Sequence, residues 1–284
     1  MLEIDKYLEW KGSYAPIAQA VYGKQLERFD GFVKKDFDDI KIGDISKYTN
    51  FLRKKYSGKT IEFNLIIIKN FFNFYAKQGR VVISPDLIKS PRTHANSHQP
   101  ITEREYLLML AYLPNNDFIS LRDKLVIGLL WDTGIRVSEL CDLNLSDIDI
   151  QNNCATIKTK KNETSRRIFW SSEVAFVMKR YVGIRISMNA SQPLLVGMYS
   201  GRVPSMRMTT RTAQRIVKTL ALQAGITKKI SPHSFRHGWA CHRRDKGAPL
   251  SFIQKGLGHQ NPVSTFVYEQ YADPEFEKHA RGYL

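Results

Sequence analysis

Four short clusters, far apart in the chain, hold side chains of the types needed to grip a phosphodiester and attack it without a metal. Thr133-Gly134-Ile135-Arg136-Val137-Ser138-Glu139-Leu140 carries one arginine, and His233-Ser234-Phe235-Arg236-His237 carries a second beside histidines. Leu257-Gly258-His259 adds a histidine and Tyr268 a phenol. Cleavage of a phosphodiester by a protein nucleophile needs positive charge on the non-bridging oxygens, a nucleophile, and an acid for the leaving 5′ oxygen. Arginine suits the first task, because its planar fork donates two parallel hydrogen bonds to a phosphate and keeps its charge at any working pH. Arg136 and Arg236 are the candidates. Either alone reads more readily as a surface or salt-bridge residue, and a lone tyrosine as a packed aromatic, so the weight lies in the combination.

His233 and Arg236 stand three apart in a segment expected to start a helix after Pro232, so both can face one point near its N-terminus, where exposed amides favour an anion. The competing reading is a zinc site, since His233 and His237 have the spacing of zinc-binding helices. Ser234, however, stands where a zinc protease needs a glutamate.

The bulk of the chain agrees with a polyanionic partner. Its 284 residues carry 43 Lys and Arg against 27 Asp and Glu, a net charge of +16 spread over both halves. Such an excess attracts nucleic acid and weakens with salt, although a basic but inert surface has the same composition. The length favours two domains. No apolar run is long enough to span a bilayer, and Met1-Leu2-Glu3-Ile4-Asp5 has no basic flank followed by an apolar core, so neither membrane insertion nor secretion is expected and the cytoplasm is the expected compartment. Cys141, Cys154 and Cys241 lack paired spacing and are expected to be reduced and structural.

The elements that must position these clusters are mostly helical. Amphipathic stretches run from Ile17 to Val33 and from Ile45 to Tyr56, and a third opens after Thr60 with Ile61, Leu65, Ile68, Phe72 and Tyr75 at helical spacing, a core stripe. Polar residues with two prolines fill 91–100 and predict a linker, and Thr102 with Glu105 has the spacing of a capping box that starts a new helix. The expected organisation is therefore a domain over 1–90, a linker over 91–100 and a second domain over 101–284. Within the second, Leu125 to Trp131 is an apolar run ended by Thr133-Gly134. Ala155-Thr156-Ile157-Lys158 and Arg166-Arg167-Ile168-Phe169-Trp170 flank a polar stretch and predict a β-hairpin with a charged tip.

The order and spacing of Thr133 to Leu140, His233 to Gly247 and Leu257 to Tyr268 resemble the tyrosine recombinase family, the phage integrases and Xer recombinases, over nearly the whole chain. The resemblance implies a mainly α fold with a small β-hairpin or sheet: an N-terminal helical core-binding domain of SAM-like fold, then a catalytic domain. It implies a site-specific DNA recombinase in which Arg136 and Arg236 clamp the scissile phosphate with His233 beside them, and His259 hydrogen-bonds a non-bridging oxygen. Tyr268, nine residues after His259, attacks phosphorus to form a 3′-phosphotyrosyl link. Tyr271, three residues on, is the decoy. Glu139 matches an acidic position that buttresses the site; its alternative role is an exposed helix carboxylate. The family's general acid is a hairpin lysine, and counting back from Ile168-Phe169-Trp170 gives Lys160 or Lys161, with Lys160 preferred. Lys158, Lys161, Arg166, Arg243 and Arg244 are candidate DNA contacts. No cofactor and no metal are implied. The partner is duplex DNA, on which a homo- or hetero-tetramer is expected, coupled through the tail after Tyr268. The absence of an arm-binding domain before residue 15 points to a Xer-like or small mobile-element enzyme. Two other readings stay open: a type IB topoisomerase-like enzyme, and a DNA-binding regulator that kept the fold without catalysis.

Overall fold

The computed structural model describes residues 3–13, 16–80, 82–89, 99–113, 117–158, 165–184, 192–199 and 203–258. The chain divides into two compact units, Met1–Asn96 and Ser97–Leu284. Residues 91–98 of the expected linker lie outside the described residues.

The first unit is helical: α1 (Ile4–Gly12), α2 (Pro16–Val33), α3 (Ile42–Arg53) and α4 (Gly58–Ala76). All five residues of the predicted stripe on α4 are buried, and so are Ile67, Phe71 and Phe74 between them. This helix is therefore enclosed on more than one side, which a single stripe does not reveal. Its aromatics interlock edge-to-face, with Phe71 5.5 Å from Tyr7 and 5.7 Å from Phe37 between ring centres. Such pairs add specificity beyond the area they bury. Two elements differ from expectation. The predicted 45–56 helix starts and ends three residues earlier, and the short helix α1 was not expected, although Ile4 and Tyr7, both buried, have helical spacing.

The second unit holds the four clusters. Its first helix, α5 (Glu103–Ala111), opens on the predicted capping box: the Glu105 backbone N–H donates to Thr102 Oγ1 at 3.3 Å, and the Thr102 backbone N–H donates to Glu105 Oε2 at 2.8 Å. The apolar run Leu125–Trp131 lies inside α6 (Phe118–Thr133), which is capped by Asp117 and buried along most of its length. A helix without a polar face belongs at the centre of a domain. Packed against α6 are α7 (Val137–Asp142), α8 (Ser172–Ile184), α9 (Thr210–Gln223) and α10 (Pro232–Asp245). The last described helix, α11 (Leu250–Leu257), rests on α10 through a separate small core of Trp239, Ala240, Ile253 and Leu257.

Strands β1 (Ile148–Asp149), β2 (Cys154–Lys158) and β3 (Ser165–Phe169) form an antiparallel sheet in that order. The predicted hairpin is its β2–β3 pair, with Lys158 opposite Ser165 at the open end. A second antiparallel pair, β4 (Val196–Tyr199) with β5 (Val203–Arg207), was not expected. Its strands are short and one contains Pro204, so local pattern barely marks them. The Arg207 guanidinium anchors this pair by donating to the Cys141 and Leu143 carbonyls and to Asn144 Oδ1. The fold is thus mainly α with small sheets. Cys141, Cys154 and Cys241 are free thiols, the first two buried. Among the described residues, no helix is long and apolar enough to cross a membrane.

Candidate active site

The site is assembled where three helix ends meet. Helix α6 stops at Gly134, which adopts φ +59°, a left-handed conformation that a side chain resists. A Cβ there would also lie 3.0 Å from the Trp239 ring. Thr133 secures the turn: its hydroxyl donates to the Leu129 carbonyl at 2.6 Å and accepts the Ile135 backbone N–H at 3.2 Å. Ile135 is then buried and Arg136 emerges at the N-cap of α7. The sequence Thr-Gly-Ile-Arg is thus a device for ending one helix and presenting an arginine at the start of the next.

Arg236 lies on α10 and is only 3% exposed. A guanidinium that deep is costly unless its donors are satisfied. It donates to the Gly134 carbonyl at 2.8 Å and to the Leu257 carbonyl at 2.5 Å, the C-terminal ends of α6 and α11. Carbonyls at helix C-termini carry partial negative charge, so the two ends stabilise the cation they hold. Helix α11 stops at Gly258 with φ +62°. Arg136 reaches the same turn, donating from Nη2 to the Gly258 carbonyl at 3.3 Å. The two arginines are therefore tied to consecutive carbonyls of one turn, although they stand 100 positions apart in the chain.

Glu139 lies at the centre of this arrangement and not on an exposed helix face. Its side chain is 10% exposed, and Oε1 accepts from Arg136 Nη1 at 2.9 Å and Arg166 Nη1 at 3.0 Å. Oε2 accepts from the Arg136 backbone N–H at 3.0 Å and Arg166 Nη2 at 2.6 Å. Burial pushes the Glu139 carboxyl up, but the hydrogen bonds and charge of Arg166, with the bonds from Arg136, outweigh it and bring the group down to about 2. Arg136 and Arg166 share the one carboxylate of Glu139, which leaves this trio a net positive charge suited to an oxyanion.

Arg166, expected as a DNA contact, has a partner inside the fold. Each of its terminal nitrogens donates one N–H to Glu139, and the side chain is 14% exposed. Arg243 and Arg244 also have partners within the fold. Arg243 is half-buried over the Trp239 ring and donates weakly to the Asp132 carbonyl at 3.5 Å, while Arg244 pairs with Asp245 at 2.7 Å. Of the described DNA-contact candidates, Lys158 alone is exposed and forms no ion pair with another described residue, at the open end of β2. Sequence reasoning also missed Asp132, whose carbonyl accepts Trp239 Nε1 at 2.8 Å and whose carboxylate accepts the Ser171 backbone N–H at 2.8 Å, tying α6 to α8 and α10.

His233 is exposed in the first turn of α10, one turn before Arg236, with its ring edge-on to His237 at 4.5 Å. Among the described residues there is no cluster of three or more His, Cys, Asp or Glu that could hold a metal. His259, Tyr268 and its decoy Tyr271, and the hairpin lysines Lys160 and Lys161 all lie outside the described residues.

The geometry can be set beside known proteins. The phage integrase family model matches residues 99–275. A tyrosine recombinase XerC of Thermodesulfovibrio yellowstonii is 28% identical over 251 residues, covering 87% of this chain and 83% of that protein. Among solved structures, the Tn1549 transposon integrase in complex with circular intermediate DNA aligns over 99% of this chain and 98% of its own, with a TM-score of 0.78 at 17% identity. A lambda integrase dimer bound to a COC′ core site aligns over 95% of each chain, with a TM-score of 0.75 at 15% identity.

Proposed function

The chain belongs to the phage integrase family, and from that premise we infer how this tyrosine recombinase, an enzyme that breaks and rejoins duplex DNA at specific sites, divides the chemistry among its residues. Arg136 and Arg236 bind the non-bridging oxygens of the scissile phosphate, with His233 and His259 as further donors. The Tyr268 phenol oxygen attacks phosphorus as its proton passes to solvent. The new bond is Tyr268 oxygen to phosphorus, the broken bond is phosphorus to the 5′ oxygen, and the departing oxygen takes a proton from Lys160 or its neighbour Lys161. A phosphodiester is exchanged for a phosphodiester, so rejoining by the 5′ hydroxyl needs no ATP.

The observation that carries this reading is the joint attachment of Arg136 and Arg236 to the turn Leu257–Gly258. That turn leads directly into His259, so the same few atoms that place the arginines set where the chain enters the His259 to Tyr268 segment. Charge stabilisation by preorganised donors is commonly the largest single contribution to such a reaction. The substrate is duplex DNA, and the enzyme acts as a homo- or hetero-tetramer on it, in the cytoplasm. The domain assignment, 1–90 for core binding and 101–284 for catalysis, belongs to the same reading.

A nicked duplex whose cleaved strand diffuses away tests the assignment. The unmodified protein is expected to accumulate on DNA through a 3′-phosphate in the presence of a chelator, and Tyr268→Phe to accumulate none. An adduct that survives Tyr268→Phe removes Tyr268 as nucleophile. A protein that binds duplex but forms no adduct is the regulator, and relaxation of supercoils without strand exchange marks the topoisomerase-like enzyme.

A further inference from the structure

We propose that Arg166 is a positioning residue for strand cleavage: it neutralises Glu139, so that the Arg136 guanidinium keeps its charge for the scissile phosphate, and it braces the turn from which the chain enters His259. The proposal rests on the assignment of Arg136 to phosphate binding above. It replaces the role that the sequence suggested for Arg166, a direct contact to DNA.

Three observations converge on it. First, Arg166 approaches Glu139 fork to fork, Nη1 to Oε1 at 3.0 Å and Nη2 to Oε2 at 2.6 Å, from strand β3, while Arg136 approaches from the start of α7. A carboxylate offers about four acceptor positions. Here four are filled: two by Arg166, one by Arg136 Nη1 and one by the Arg136 backbone N–H. Second, Glu139 is the one hydrogen-bond partner of the Arg166 guanidinium among the described residues, where its Nε is buried without an acceptor. Its side chain is 14% exposed, against 39% for Arg136, so of the two it is Arg136 that can meet a phosphate. Third, Arg166 packs on Gly258, where a Cβ would lie 3.1 Å from Nη1. The turn that receives Arg136 and carries the chain into His259 is therefore seated on Arg166.

Charge counting gives the consequence. Without Arg166, Glu139 and Arg136 form a neutral pair, and the carboxylate draws the Arg136 fork onto itself. With Arg166, the trio keeps one positive charge, and Arg136 commits a single side-chain N–H to Glu139. Lysine cannot do this as well, because one ammonium cannot meet both carboxylate oxygens in a plane.

The probe is a duplex selected on the unmodified protein: a pool of nicked duplexes of randomised sequence is incubated with it, and a duplex recovered as covalent adduct is used throughout. Duplex affinity and the rate of adduct formation at saturating protein are measured separately. Arg166→Ala is expected to slow the saturated rate by roughly tenfold to a hundredfold, the scale of misplacing a catalytic group, with duplex affinity unchanged. Arg166→Lys should fall between it and the unmodified protein. The decisive variant is Arg166→Ala with Glu139→Gln. Removing the uncovered charge should restore rate relative to Arg166→Ala alone, which a merely structural arginine would not permit.

Lost affinity with an unchanged saturated rate overturns the proposal in favour of a direct DNA contact. A double variant no faster than Arg166→Ala shows that Arg166 does not act through Glu139. Should Arg166→Ala fail to fold, Arg166→Lys with and without Glu139→Gln is compared in the same way. If the unmodified protein forms no adduct at all, the cleavage reading falls and this proposal with it. Adducts from the unmodified protein together with either adverse result sink this proposal alone.

Discussion

Glu139 couples the site to the stability of the fold. Its carboxyl is held at about 2 within the native structure, and it regains an ordinary value when the chain unfolds. A group depressed in this way stabilises the native state above its unfolded value and loses that contribution as pH falls through the folded one. The full contribution is about 3 kcal/mol at neutral pH, of which about 2 kcal/mol is lost between pH 5 and pH 3. Glu139→Gln, which cannot ionise, is therefore expected to lose about 2 kcal/mol less than the unmodified protein between those pH values. Urea denaturation at the two pH values measures it, and equal losses for the two proteins would show that Glu139 is not the depressed group. Much of this residue's surroundings was invisible in the chain. The pair Arg136 and Glu139 is local and could be paired by eye at three residues' spacing, but Arg166 joins from 27 residues away. An arginine in a charged hairpin looks like a phosphate contact until its partner is seen.

At the scale of elements, the position of α11 is decided by one indole. Trp239 on α10 donates from Nε1 to the Asp132 carbonyl and packs against Ala240, Ile253 and Leu257. Gly256 lies so close that a Cβ there would run into the Trp239 ring. In an open helix, glycine to alanine is worth up to about 1 kcal/mol of added stability. Here overpacking against a fixed ring outweighs it, at roughly 1–3 kcal/mol. Gly256→Ala is thus expected to lower stability and also to slow adduct formation, because shifting α11 moves the Leu257 carbonyl off Arg236 and the Gly258 carbonyl off Arg136. Thermal unfolding and the saturated cleavage rate measure the two effects. A variant as stable and as fast as the unmodified protein would show that α11 tolerates displacement. Among elements, the long amphipathic helices, the capping box at Thr102 and the β2–β3 hairpin were legible, since each follows from a local period or cap. Helix α1 and the β4–β5 pair were not, being short elements whose stability comes from contacts distant in sequence.

For the whole molecule the governing property is charge. A net charge of +16 attracts duplex without regard to sequence. If roughly six or more phosphates are neutralised, duplex affinity should fall by about a thousandfold or more between about 50 and 200 mM salt. Filter binding over that range tests it, and a flat dependence would mean that the excess charge lies away from the DNA. The chain by itself determined the helical class, the basic balance and the family boxes that make Arg136, His233 and Arg236 candidates, because caps, periods and motif spacing are written in adjacent residues. Tertiary structure decided which groups share atoms. It placed the Arg136 and Arg236 guanidiniums on consecutive carbonyls of one turn, buried Glu139 between two arginines, and turned Arg166 inward. The reason is physical: a buried charge must find its partners wherever the fold brings them, and here those partners came from the ends of helices and strands that are neighbours only in space.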